Sequence, residues 1–290
     1  MYPLHSLAPL KISGPDARNY LQGQLSNDLG ALTATQSMLA SCNSSQGRVQ
    51  AVLRLIEHDD GVLALLPRVM IDSTLARLRK YVLRAKLTIE DARDSIQVHW
   101  LDRSDLQAKS WPIPEQPGEC LQNDQITILR WPDLQEARWL TLGTGVVESQ
   151  NQGADHDWLL ADIRAGLPQV LPETHESFVA QMLNLDVLNG ISFNKGCYTG
   201  QEIIARAHFR GAVKRRMFRF QAQCEAPAPG TRILSQGEHA GEVVMATSIL
   251  LGCELLAVVS LAQSNSVLTL ETPNAPLEMQ SLPYALSTAS

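Results

Sequence analysis

The run Val49, Ala51, Val52, Leu53, Leu55 and Ile56 constrains this chain most. Its apolar residues fall on both parities of a period-two pattern, so a strand here is covered on both sides rather than on one. Residues 38–42 and 62–66 read as flanking strands. The turn signals between the three are Ser45-Gln46-Gly47 and Asp59-Asp60-Gly61. Gly14-Pro15 ahead of residues 16–25 reads as a helix start, with Ala17, Tyr20, Leu21 and Leu25 at helical spacing. Pro67 closes the third strand. Residues 71–83 then show helical periodicity through Ile71, Leu75, Leu78 and Val82, opposite a basic face that reads as solvated. Residues 87–89 and 97–101 look like returning strands. Helix, hairpin, helix and strand in this order predict α+β layers rather than a doubly wound sheet.

Beyond residue 102 the signals thin out. Residues 126–131 and 138–142 read as strands, and Asn151-Gln152-Gly153-Ala154-Asp155 as a turn or linker. Asp155 or Asp157 is placed to cap a helix carrying Trp158, Leu159, Ile163 and Ala165 and ending near Gly166-Leu167-Pro168. Residues 171–189 read as a loop entering a short helix. From Ala226-Pro227-Ala228-Pro229-Gly230 onward the pattern is short strands only, at 232–234, 241–245, 255–259 and 267–270. Regular short strands without helices predict a small barrel. The tail 287–290 is expected to be disordered.

A chain of 290 residues has room for two or three domains of roughly 100–200 residues. The net charge of −6 argues against wholesale coating of nucleic acid, though not against a local basic patch. No apolar run approaches the ~20 residues that span a bilayer. The start Met1-Tyr2-Pro3-Leu4-His5 lacks the basic and apolar regions of a signal peptide, so a cytoplasmic protein with no membrane partner is expected. The cysteines are Cys42, Cys120, Cys197, Cys224 and Cys253, with no C-x-x-C pair. Their odd number and wide spacing argue against a disulfide framework and against a Cys-rich metal or cluster site, so no permanently bound metal is expected.

One short stretch stands apart in chemistry. Asn194-Lys195-Gly196-Cys197-Tyr198-Thr199-Gly200-Gln201-Glu202 gathers a thiol, a lysine, two glycines and a carboxylate. Thr199 and Glu202 have the spacing of a capping box, followed by residues that continue as a helix. Cys197 then lies ahead of a helix N-terminus, where a thiolate is stabilised, and Lys195 adds positive potential. The plainer alternative is a small buried cysteine beside an ordinary cap. Downstream, Arg206, Arg210, Lys214, Arg215, Arg216 and Arg219 form a basic segment. Three readings of it stand open: a solvated surface, a holder of carboxylates, or a contact for a nucleic acid such as tRNA.

The octapeptide Lys195–Glu202 resembles the signature of the YgfZ-type folate-binding proteins, relatives of the aminomethyltransferase (T-protein) of the glycine cleavage system. Supporting segments are Ile12-Ser13-Gly14-Pro15-Asp16-Ala17, Tyr20–Asp28, Asn184-Leu185-Asp186, Gly190–Phe193, Phe209–Arg216 and Leu282-Pro283-Tyr284. The resemblance implies a ring-like folate-binding body of two α+β subdomains over residues 1–210 and a small C-terminal β-barrel over 211–290. It implies tetrahydrofolate or another reduced folate as cofactor, and iron–sulfur client enzymes, including those that methylthiolate tRNA, as partners. Cys197 and Lys195 would carry the chemistry. Tyr198 and Glu202 belong to the same signature and would lie near the folate. Trp158, eight residues ahead of Gly166, matches a tryptophan associated with the folate site. Leu7 stands about where relatives can carry a second tryptophan. Arg164 stands where T-proteins have an acid that holds the pterin, which favours an accessory factor over a tetrahydrofolate-dependent aminomethyl- or methyl-transferase; in this place it would bond a pterin carbonyl or the glutamate tail of folate. A tRNA- or protein-binding module without catalysis is the third reading.

Overall fold

The computed structural model describes residues 1–59, 61–123, 125–133, 136–144, 153–209 and 213–286. Asp60 of the predicted hairpin turn, Asn151 and Gln152 of the predicted linker, Arg210 to Ala212 of the basic segment and the tail 287–290 lie outside the described residues.

In chain order the elements are β1 (Tyr2–Pro3), β2 (Leu7–Ser13), α1 (Ala17–Gln24), β3 (Met38–Asn43), β4 (Val49–His58), β5 (Gly61–Pro67), α2 (Ile71–Arg79) and β6 (Thr88–Asp91). Then come β7 (Gln97–Leu101), α3 (Arg103–Ala108), β8 (Cys120–Gln122), β9 (Ile126–Arg130), β10 (Trp139–Gly143), α4 (Ala154–Ala165) and α5 (Gln201–Phe209). The chain finishes with β11 (Arg215–Ala222), β12 (Arg232–Ser235), β13 (Glu238–Ile249), β14 (Gly252–Ser260), β15 (Leu268–Leu270) and β16 (Glu278–Gln280). They build three antiparallel sheets, of strand orders 3-4-5-2-6, 1-7-10-9-8 and 15-12-13-14-11-16. The fold is α+β, and the last sheet curls like half a barrel.

The dense strand does have two covers. Along β5, Val62, Ala64 and Leu66 enter one apolar core while Leu63 and Leu65 enter another. On β4, Leu53 and Leu55 join the first core and Ile56 the second. The first two sheets thus share the second core between them, and α4 packs into it through Ala154, Trp158 and Ala165. The same split recurs in the last sheet. Leu256 and Val258 of β14 face the first core, while Cys253, Leu255, Ala257 and Val259 line a core of their own. Period-two alternation with both parities apolar is what a strand between two layers requires.

Several elements differ from the sequence expectation. Helix α2 stops at Arg79, short of the predicted residue 83, where Leu83 at φ 44° has left right-handed helical geometry. Residues 171–189 form two 3₁₀ turns, Pro172–Thr174 and Ala180–Leu183, rather than an α-helix. Asp155 does not cap α4; its carboxylate accepts from the backbone N–H of His5 and Ser6, at 3.2 and 2.8 Å, and pins the N-terminal segment to the helix. No helix among the described residues is long and apolar enough to cross a membrane.

Candidate functional site

The signature loop folds onto the N-terminal motif. Ser192 N–H donates to Ser26 O, Thr199 N–H to Gly23 O, and Ser26 Oγ to Gly190 O. The two most specific stretches of the chain, 20–28 and 190–200, are therefore one structural unit. Lys195 locks them together. Its buried ammonium donates to the carbonyls of Gln22, Leu25 and Asn27 at 2.6, 2.9 and 2.7 Å, and lies 5.1 Å from the Tyr198 ring. Burial pushes this ammonium down to about 8, opposed by the Asp28 carboxylate. Gly200, at φ +83°, approaches the turn after β3 so closely that a Cβ would lie 2.6 Å from Ser44 O and 2.9 Å from Gly47 Cα. Cys197 projects from this scaffold and is exposed, whereas Cys42, Cys120 and Cys253 are buried.

The charge pattern around that thiol is not the one the sequence suggests. The three carbonyls of Gln22, Leu25 and Asn27 take the ammonium of Lys195, which is thereby committed to holding the loop. Helix α5 begins at Gln201, four positions beyond the cysteine, and the Glu202 carboxylate accepts from Arg206 at 2.8 Å on the exposed side of the helix. Tyr198 is buried in the first core, and burial pushes its phenol up to about 12.

A separate cavity lies between the first two sheets and the end of α4. It is narrow, with a cavity volume of about 40 Å³. Its apolar walls include Leu7, Leu65 and Trp131, and its polar groups are Arg54, Asp162 and Gln169. The Asp162 carboxylate is held in place by Trp131 Nε1 at 2.9 Å, Arg138 at 2.9 Å and Gln169 Nε2 at 3.1 Å. Burial raises its proton affinity, while Arg138 and the Trp131 N–H oppose the rise. Arg54 is only 8% exposed, lies 5.7 Å from the Trp131 ring, and its Nε has no hydrogen-bond partner. Burial pushes the guanidinium down to about 10. A buried N–H left without a partner costs about 1–3 kcal/mol, so this residue is under-satisfied where it lines the cavity. The lining has the chemistry that a flat heterocycle with polar edges calls for, in apolar walls, an indole and three polar groups, but at about 40 Å³ the walls must part before one can enter.

The sequence-predicted residues distribute as follows. Leu7 lines this cavity. Trp158 stands one ring behind the wall, 1% exposed, edge-on to Trp131 at 5.0 Å and beneath Arg138 at 4.3 Å; its Nε1 has no partner. Arg164 faces the other way, to Glu254 of β14 at 2.7 Å. The acid at this helix end that reaches the cavity is Asp162, one of the residues that sequence reasoning passed over, together with Arg54 and Trp131. Cys197, Lys195, Tyr198 and Glu202 do not line this cavity. The basic segment is also divided. Arg216 forms a buried pair with Asp186 at 2.6 Å, and Arg219 lies 3.4 Å from Glu254, whereas Lys214 is exposed. Among the described residues no group of three or more His, Cys, Asp and Glu is placed to hold a metal ion.

This arrangement of sheets is an aminomethyltransferase-like fold. The crystal structure of the glycine cleavage system aminomethyltransferase T from Bartonella henselae superimposes with a TM-score of 0.77 over 97% of this chain and 85% of that one, at 15% identity. Curated relatives are closer in sequence. The tRNA-modifying protein YgfZ of Serratia proteamaculans is 31% identical across 98% of this chain and 92% of its own length. That of Cronobacter sakazakii is 32% identical across 99% and 93%, and that of Edwardsiella ictaluri 34% across 75% and 69%. No protein-family model matches the chain. The chain belongs to the YgfZ family.

Proposed function

We propose that this protein is a reduced-folate-binding accessory factor in tRNA modification, acting in the cytoplasm in support of iron–sulfur enzymes that include those methylthiolating tRNA. The observation that carries the reading is the cavity in which Arg54, Asp162 and Gln169 converge beside Trp131, with a buried donor of Arg54 unmatched. The relatives' name supports the tRNA connection, and the shared fold with an aminomethyltransferase supports folate as the ligand. Asp162 and Gln169 would bond the polar edge of a pterin, Arg54 would donate to its carbonyl, and Leu7 and Trp131 would wall its faces. Trp158 would stiffen Trp131 from behind. A bound tetrahydrofolate supplies reducing and one-carbon chemistry.

Cys197 is the group assigned to client service. It is exposed on a loop that Lys195 and Gly200 hold rigid, which suits a thiol that must meet a partner protein. Lys195 is in this reading a positioning residue, with Tyr198 beneath it. Lys214 and Arg215 offer the phosphate contacts that the committed Arg216 cannot. The division into a folate-binding body over 1–210 and a C-terminal barrel unit over 211–290 is part of the same proposal.

The test is Cys197→Ser, read in two assays. Tetrahydrofolate binding to the purified variant is expected to be unchanged, and methylthiolated tRNA in cells relying on it is expected to fall to the level of a deletion. Full retention of tRNA methylthiolation would remove the role given to the thiol.

A further inference from the structure

The wide cysteine spacing hides a pair. Ala222 of β11 stands opposite Cys253 of β14, so the chain leaving β11 carries Cys224 back over the start of β14. The two sulfurs lie 3.9 Å apart, between residues 29 positions apart in the chain. Their surroundings differ in a way that gives them different parts. Cys253 is fully buried among Leu255, Ala257 and Ile233 of the last sheet's own core. Cys224 is half-buried and lines an open surface cavity with Gln223, Ile249 and Leu251 at the β13–β14 turn. One thiol can be reached from solvent, and the other waits directly behind it.

We propose that Cys224 and Cys253 are a redox-active dithiol that closes to a disulfide by exchange with a low-molecular-weight disulfide of the glutathione type. The Cys224 thiolate attacks one sulfur of the small disulfide; that S–S bond breaks, a first thiolate leaves and takes up a proton, and a mixed disulfide stands on Cys224. Cys253 then loses its proton and attacks the Cys224 sulfur, expelling the second small thiol. The protein is oxidised by two electrons and the small disulfide is reduced to two thiols. Burial pushes the Cys253 thiol up to about 12, with Cys224 adding to the rise, so Cys224 is the residue that attacks first. A disulfide needs sulfurs about 2.05 Å apart. The irregular segment holding Cys224 after β11 can supply the remaining approach. The site is separate from the cavity and from Cys197, yet linked to α4: Glu254, next after Cys253, is the partner of Arg164.

The experiment equilibrates the full-length protein in glutathione buffers of increasing oxidised fraction, quenches with acid, and maps thiols and cross-links by mass spectrometry. A Cys224–Cys253 cross-linked peptide is expected in the wild type and is expected to vanish with dithiothreitol. Cys253→Ala should hold glutathione on Cys224, and Cys224→Ala should leave Cys253 reduced. Recovery of both thiols free in the oxidised buffer would overturn the proposal. So would glutathione persisting on wild-type Cys224 without the cross-link, or oxidation of Cys253 in Cys224→Ala as fast as in the wild type.

Discussion

Lys195 shows how one side chain can be structural at the centre of a reactive-looking motif. Its ammonium satisfies three carbonyls that α1 and the following turn leave open. Lys195→Met would leave those carbonyls buried and unmatched, a loss of about 3 kcal/mol or more of folding stability, read by urea denaturation. The variant also carries a pH signature. The folded state releases this proton near 8, while the unfolded chain holds it to about 10.4. Between those values the unfolded state binds more protons, so this group's contribution to stability rises with pH across that window and is flat below it. The stability difference between wild type and Lys195→Met should therefore shift in favour of the wild type from pH ~8 to ~10.4, and a difference independent of pH would contradict the buried environment.

At the scale of elements, the signature works because a loop and a turn meet at two glycines. Gly200→Ala places a Cβ 2.6 Å from Ser44 O at φ +83°, and should cost at least ~2 kcal/mol of stability. Gly196→Ala, with nothing within 4 Å of its Cβ, should stay within ~0.5 kcal/mol. Equal thermal shifts for the two would mean that the loop is not seated as described. These contrasts also explain what the sequence did and did not disclose. The two-sided strand β4 was legible, because burial on both faces writes itself into composition as an unbroken apolar run. Strand β2 was not: Pro9 interrupts it, and it is tolerated because the ladder to β6 starts only at Leu10. The role of Arg216 stayed open in the sequence because its partner Asp186 lies 30 positions away. Cys224 and Cys253 read as unrelated for the same reason.

At the scale of the whole molecule, the candidate cavity lies where two layers of the fold meet. The cavity draws Leu7 and Arg54 from the first sheet, Trp131 from just after β9, and Asp162 from α4. No local pattern could have announced it. The signature loop was legible because its residues are contiguous, and of the two readings open for Cys197 the structure excludes the buried one. The two sites remain distinct surfaces of one fold, so folate binding and client service should be separable by mutation. The most direct test is a tetrahydrofolate titration followed by tryptophan fluorescence on the wild type, Arg54→Gln and Arg164→Ala. Arg54 lines the cavity within the field of Asp162, whereas Arg164 pairs with Glu254 away from it. Saturable binding by the wild type, weakened about tenfold or more by Arg54→Gln (about 1.4 kcal/mol) and unchanged by Arg164→Ala, is the predicted result. No binding by the wild type, or loss with Arg164→Ala but not with Arg54→Gln, would contradict it.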